Sequence, residues 1–151
     1  MISIIIVTYN VGLTLQNCLN SIYSQKRKED IRIIIIDGKS NDNTTSILKK
    51  NNDKIDYWVS EKDLGIYDAM NKALKEVKTP WIYFLGADDE LLPDFSKIIQ
   101  ELVNPSSVYY ANVIYKNEIH SGNVSSYHQA KLGIFHQSII YPSAVFQKYQ
   151  Y

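Results

Sequence analysis

Two adjacent carboxylates, Asp88 and Asp89, follow the apolar run Trp81 to Leu85 after only Gly86 and Ala87. Side by side, two such charges repel unless a cation sits between or beside them. A hard divalent ion is the natural choice, because Mg²⁺ or Mn²⁺ is usually held by one or two carboxylates together with phosphate and water oxygens. An ion there would bridge to a diphosphate and stabilise charge on a departing phosphate oxygen. The alternative is structural: Asp88, Asp89 and Glu90 end a strand and cap the helix before Phe95, a task Pro93-Asp94 could equally perform. Spacing alone leaves both readings open.

A second carboxylate, Asp37, follows the run Ile33 to Ile36 with Gly38 behind it. At a sheet edge it could accept the ring N–H of a nucleobase, or it could close an Asx-turn into the Asn41-to-Thr45 segment. Thr8-Tyr9-Asn10 ends another apolar run, and Tyr9 could stack on a base, an interaction worth ~1–3 kcal/mol in single-strand sites. Other chemistries are missing: the chain has no GxxxxGK[ST] loop, GxGxxG fingerprint, GxSxG elbow, HExxH pair or paired-cysteine zinc spacing. His120, His128 and His136 are scattered, each reading as a surface or satisfied imidazole before a ligand or base.

These residues need a scaffold that gathers strand ends. Ile2 to Val7 and Ile31 to Ile36 are apolar on consecutive positions, as strands covered on both faces should be. Leu15, Cys18, Leu19, Ile22 and Tyr23 recur at helical spacing between them, with Asn10 or Thr14 as cap and Cys18 as a buried thiol. Thr44 to Lys50, a strand at Ile55 to Val59, and a helical stripe from Ile66 through Val77 repeat the alternation. Trp81 to Leu85 and a helix around Phe95 to Leu102 complete it. The fold class is α/β, a Rossmann-like doubly wound and mostly parallel sheet in three layers, α/β/α. In such a sheet ligands bind beyond the carboxyl ends of the strands, which is where Thr8-Tyr9-Asn10, Asp37, Glu61-Lys62-Asp63 and Gly86 to Glu90 all fall. After Pro105 the texture changes: Val108 to Tyr115 is strand-like, Asn117 to Lys131 is polar, and Ile139 to Tyr141 is followed by Pro142 and a short closing helix.

With 151 residues and 45% hydrophobic content the chain is one globular domain with a sizeable core, not a disordered or fibrous one. Sixteen basic residues balance sixteen acidic ones, so no global field recruits nucleic acid or an anionic membrane. The lone cysteine favours a reducing, cytoplasmic setting. No apolar run nears the ~20 residues of a transmembrane helix.

Four blocks now stand in order: Ser3-Ile4-Ile5-Ile6-Val7-Thr8-Tyr9-Asn10, Ile36-Asp37-Gly38-Lys39-Ser40-Asn41-Asp42-Asn43-Thr44, Gly65-Ile66-Tyr67-Asp68-Ala69-Met70-Asn71-Lys72 and Phe84-Leu85-Gly86-Ala87-Asp88-Asp89. Together they resemble family 2 glycosyltransferases of the GT-A fold, in particular bacterial members that build polysaccharide, O-antigen or capsule. The resemblance implies an inverting, hexosyltransferase-type enzyme. Its donor would be a nucleotide-diphosphate sugar, commonly UDP-linked, its acceptor a saccharide or lipid-linked sugar, and its cofactor Mg²⁺ or Mn²⁺. It implies that Thr8, Tyr9 and Asn10 edge the nucleoside pocket and that Asp37 holds the base. Asp63, Gly65 and Asn71 would line the donor site, while Asp88 with Asp89 would match the end of the DxD motif that engages ribose and metal-bound diphosphate, both as metal ligands and Asp88 also on the nucleotide sugar. On the same resemblance, residues 1–104 would form the nucleotide-sugar-binding half of a single domain and residues 105–151 the start of an acceptor half. Peripheral association with the inner face of the plasma membrane is a family expectation.

Two departures matter. The first DxD position is Gly86, and no Asp or Glu follows Glu118, although inverting transfer needs a base for the acceptor hydroxyl proton. The family's carboxylate base lies well beyond a block resembling His136-Gln137-Ser138, so the chain reads as carboxyl-terminally truncated, with His136 as a weak substitute. The competing reading is therefore a non-catalytic nucleotide-sugar-binding module or inactive fragment. A receiver-like signalling domain would need an acidic pair after the first strand, where this chain has Thr8-Tyr9-Asn10.

Overall fold

Isoleucine on consecutive positions requires cover on both sides, and the first strand, β1 (Ile2–Thr8), has it. In the computed structural model, which describes residues 1–123, 125, 127, 131 and 133–151, β1 pairs in parallel with β2 (Ile31–Asp37). The register sets Ile2 opposite Ile31 and Thr8 opposite Asp37. Strand β3 (Tyr57–Ser60) adds in parallel to β2, with Ser60 opposite Asp37, and β4 (Trp81–Phe84) adds in parallel to the other side of β1. Beyond β4, β5 (Tyr109–Tyr110) and β8 (Ile139–Pro142) extend the sheet antiparallel, giving the order β3-β2-β1-β4-β8-β5. A separate hairpin joins β6 (Val113–Tyr115) to β7 (Glu118–His120).

Among the described residues, five helices lie along the sheet. Helices α1 (Leu15–Tyr23), α2 (Thr44–Lys50) and α4 (Phe95–Glu101) pack Leu15, Cys18, Leu19, Ile22, Leu48, Phe95 and Ile99 onto Ile2, Ile4, Ile6, Ile33 and Ile35. On the opposite face α3 (Ile66–Leu74) sets Ala69, Met70 and Ala73 against Ile5, Ile34 and Ile36, and Phe146 of α5 (Ala144–Lys148) joins them. Each isoleucine so enclosed contributes ~1.5–3 kcal/mol. The three-layer, mostly parallel sheet expected from the sequence is the one observed.

Details differ for physical reasons. The strand expected at Ile55 to Val59 begins at Tyr57, because Asp56 turns its carboxylate to accept the Ile33 N–H at 2.8 Å. The expected strand Val108 to Tyr115 breaks in two: the Ala111 N–H still donates to the Ser138 carbonyl at 2.7 Å, whereas Asn112 receives the Gly122 N–H and starts the hairpin. Neither expected cap of α1 acts as one. Thr14 holds the N-cap position but turns its hydroxyl to the Val11 carbonyl, and Asn10 lies in left-handed backbone, φ 54°, outside the helix.

The order β3-β2-β1-β4 makes the chain reverse direction across the sheet between β1 and β4. The loops that follow those strands therefore diverge and open a crevice at their carboxyl ends.

Candidate functional site

The loops after β1, β2 and β3 are laced together through one carboxylate. Asp37 is fully buried and accepts four hydrogen bonds. The Thr8 hydroxyl donates to Oδ1 at 2.9 Å and the Ser40 hydroxyl to Oδ1 at 2.5 Å. The Ser40 N–H donates to Oδ2 at 3.0 Å and the Ser60 hydroxyl to Oδ2 at 2.6 Å. Four bonds use the acceptor capacity of an ionised carboxylate. Asp37 stands at the carboxyl end of β2, as expected, and parallel pairing carries its side chain inward between Thr8 and Ser60. The Ser40 N–H bond is the turn-closing alternative. Asn10 adds a second lace, its N–H donating to Ser40 Oγ at 2.8 Å and its side-chain oxygen accepting from the Asn41 N–H at 3.0 Å.

Above this buried knot lies an open rim. Tyr9 is 65% exposed, its ring edge beside Gly38. A methyl group on Gly38 would lie 3.4 Å from Tyr9 Cδ2 and 2.6 Å from Asp63 Oδ2, so the missing side chain brings these two groups together. Asp63 sits on the loop between β3 and α3, where its Oδ1 accepts the Gly65 N–H at 2.9 Å. Gly65 has φ 118°, a backbone that side-chain-bearing residues rarely adopt, and it opens α3 from there. Lys72 clamps the loop from below. Its ammonium lies 2.9 Å from Glu61 and 3.4 Å from Asp68, and it donates to the Lys62 carbonyl at 2.9 Å. The hydrogen bonds to Glu61 and then Asp68 raise the Lys72 pKa, while the Leu64 N–H, and after it Lys72, lowers that of Asp68.

Across the crevice, the turn after β4 carries Asp88 and Asp89. The Asp89 N–H donates to the Gly86 carbonyl at 3.1 Å, and the Cys18 thiol reaches the same carbonyl at 3.5 Å from beneath. Both carboxylates fold over Gly86: a methyl group there would fall on Asp89 Oδ2 and lie 3.0 Å from Asp88 Oδ1. Glycine at the first motif position therefore creates the space in which the two charges converge. Burial, and next the charges of Asp89, Asp88 and Glu90, push the Cys18 thiol up to about 12, so it stays protonated. The capping alternative fails on geometry, because α4 begins at Phe95 with Asp94 at its N-cap. Two converging carboxylates with open coordination suit Mg²⁺ or Mn²⁺ carrying a diphosphate. Among the described residues no group of three or more His, Cys, Asp or Glu is placed to hold a metal ion, so the protein itself offers at most these two carboxylates.

The carboxyl third reaches back to this turn. Gln137 Nε2 donates to Asp89 Oδ2 at 3.1 Å, while the Gln137 carbonyl accepts from the Tyr83 hydroxyl at 2.8 Å. Gln137 belonged to a block noted in the sequence, but nothing local links it to Asp89, 48 residues away. Ser60, 23 residues from Asp37, was missed for the same reason. His136 is half-buried against Phe84, Tyr141 and Tyr151, and its Nε2 lies 2.8 Å from the Tyr151 hydroxyl. Burial lowers its pKa, and to accept an acceptor-hydroxyl proton at Nε2 it must first surrender that bond. Asn71 exchanges two hydrogen bonds with the Tyr151 backbone, at 3.0 and 3.1 Å, and Tyr67 stacks on the Tyr151 ring. His120 lies between the rings of Tyr115 and Phe135, away from these groups, and His128 lies outside the described residues.

A parallel Rossmann-like half with an acidic turn at its switch point defines a GT-A fold. Solved structures agree. The S. aureus TarS fragment 1-349 in complex with UDP-GlcNAc matches with TM-score 0.79 at 20% identity, over 97% of this chain and 46% of that one. The mannosyltransferase PcManGT from Pyrobaculum calidifontis, in complex with GDP-Man and Mn²⁺, matches with TM-score 0.75 at 18% identity, over the same shares of the two chains. The profile of Glycosyl transferase family 2 matches residues 3–149, and the chain belongs to that family. A PGL/p-HBAD biosynthesis glycosyltransferase of Mycobacterium tuberculosis is 33% identical over 97% of this chain. A Methanococcus voltae protein is 29% identical over 93%; it is named dolichyl N-acetyl-alpha-D-glucosaminyl phosphate 3-beta-D-2,3-diacetamido-2,3-dideoxy-beta-D-glucuronosyltransferase. The chain spans 60% of the length of the first and 51% of the second. Among the described residues no helix is long and apolar enough to cross a membrane.

Proposed function

We propose that the chain binds a nucleotide-diphosphate sugar, in the first instance a UDP-sugar, and forms the donor side of an inverting glycosyltransferase. The acceptor in this reading is a saccharide or a lipid-linked sugar, the latter in keeping with the dolichyl-linked substrate in the name of the Methanococcus relative. The observation that carries the reading is the convergence of Asp88 and Asp89 over Gly86, across the crevice from the Tyr9, Gly38 and Asp63 rim. A nucleoside laid on Tyr9 would direct its diphosphate toward the acidic turn, with the ribose near Asp88. Asp88 and Asp89 would hold the Mg²⁺ or Mn²⁺, which supplies positive charge against the diphosphate leaving group. Gln137 fixes the rotamer of Asp89 by its hydrogen bond, and Cys18 steadies the Gly86 carbonyl that starts the turn. In the transfer, an acceptor oxygen bonds to the anomeric carbon as the bond to the diphosphate oxygen breaks, and a base takes the acceptor proton. We place this reaction on the cytoplasmic side, with peripheral membrane contact when the acceptor is lipid-linked.

Thermal unfolding with UDP, GDP, CDP and dTDP, each with and without Mn²⁺, tests the proposal. A ligand at a hundred times its dissociation constant stabilises by ~2.7 kcal/mol. The expected result is a Mn²⁺-dependent rise with one nucleotide that an Asp88→Asn/Asp89→Asn variant loses. No rise with any of the four, in folded protein, would overturn it.

A further inference from the structure

We infer that the carboxylate reading the nucleobase is Asp63 and not Asp37, and that it selects bases bearing a ring N–H. The inference rests on the donor-site reading above and adds the identity of the selecting residue and the class of base. Asp37 has no acceptor capacity left: it is fully buried and already holds Thr8, Ser40 and Ser60. Accepting a base N–H there would mean breaking the knot that joins three loops.

Asp63 has the properties Asp37 lacks. One of its oxygens is committed, Oδ1 to the Gly65 N–H. The other, Oδ2, has no hydrogen-bond partner among the described residues and faces the void left by Gly38, beside the exposed ring of Tyr9. A planar base lying on Tyr9 would meet a carboxylate oxygen at its edge. The loop is held in advance of any ligand: Lys72 ties Glu61, Lys62 and Asp68 together, and Asp68 takes the Leu64 N–H. A fixed acceptor whose outer oxygen is uncommitted suits the ring N–H of uracil, thymine or guanine. Cytosine presents a ring-nitrogen lone pair at that position and must turn its exocyclic NH₂ to the carboxylate instead, so the ring N–H bases are preferred.

The same geometry makes a sharp test. In Asp63→Asn the amide oxygen stays on the Gly65 N–H, which can only donate, and the NH₂ therefore takes the place of Oδ2. An acceptor becomes a donor at one point without loss of the loop contact. Titration calorimetry of the chain with UDP and CDP, in the presence of Mn²⁺, reads the outcome as a ratio of affinities. The expected result is that wild type prefers UDP by tenfold or more and that Asp63→Asn lowers this ratio at least tenfold. Asp37→Asn should leave the ratio within twofold while lowering the melting temperature, and Tyr9→Ala should weaken both nucleotides alike. An unchanged ratio in Asp63→Asn, or a ratio reversed by Asp37→Asn, overturns the assignment and leaves the donor site standing. Binding of neither nucleotide, nor of GDP or dTDP, overturns the donor-site reading and this assignment with it.

Discussion

Replacing Asp37 by alanine removes the acceptor of four hydrogen bonds at once. Each hydrogen bond to a charged group contributes ~1.5–3 kcal/mol, and an unpaired buried donor costs ~1–3 kcal/mol. The four bonds do not count equally. The Thr8 hydroxyl is buried and cannot reach water, whereas Ser40 and Ser60 are half-buried at the rim and can turn outward. The full loss falls on Thr8 and a partial one on the other three, which gives about 3–5 kcal/mol in all. In a domain of this size that is a drop of roughly 6–20 °C in melting temperature. Asp37→Asn is the graded control. Its amide oxygen can keep the Ser40 N–H while its NH₂ faces the Thr8 and Ser40 hydroxyls, which can accept, so about 1–2 kcal/mol is lost. Urea unfolding followed by circular dichroism measures both variants. A loss below about 0.5 kcal/mol for the alanine variant, the range of an ordinary surface substitution, would refute the reasoning that Asp37 is the structural knot of the rim.

Gly86→Ala should fold with near wild-type stability, because only the flexible ends of Asp88 and Asp89 must move. Its Mn²⁺-dependent nucleotide affinity should fall by ~10–100-fold, as for other disturbances around a metal's ligands, and calorimetry with UDP and Mn²⁺ checks this. Cys18, buried and raised to about 12, should resist alkylation by iodoacetamide in the folded protein and react fully in denaturant, as mass spectrometry would show. Burial lowers the His136 pKa, so the unfolded chain binds more protons there than the native one. Stability should therefore decline as pH falls below ~6.5. His136→Gln should flatten that part of the profile in denaturation measured from pH 7 to pH 5.

The sequence carried most of the sheet in its local patterns. Ile2 to Val7 and Ile31 to Ile36 could only be strands covered twice, and the stripe through Ala69, Met70 and Ala73 could only be a helix laid on one face. What lies beyond residue 105 was less legible. Val108 to Tyr115 has strand composition throughout, yet Asn112 leaves the sheet to pair with Gly122, a competition that propensity does not register. Of the site, the acidic turn and the rim residues Tyr9 and Asp63 could be named from residue type and position after strands.

Their division of labour could not be read so. Asp37 and Asp63 both follow strands and both close a local turn, onto Ser40 and Gly65, so their neighbours in the chain do not say which keeps an open oxygen. Parallel register decides it: with Thr8 opposite Asp37 and Asp37 opposite Ser60, the end of β2 is enclosed by two hydroxyls, while Asp63 lies beyond the sheet on a loop held by Lys72. Gly86 is the same case in reverse, a departure from pattern in the sequence and a space for two carboxylates in the fold. Composition and periodicity fix which segments are buried, because burial depends on a residue's own chemistry. Which acceptor remains open depends on partners that only the packed chain brings within 3 Å.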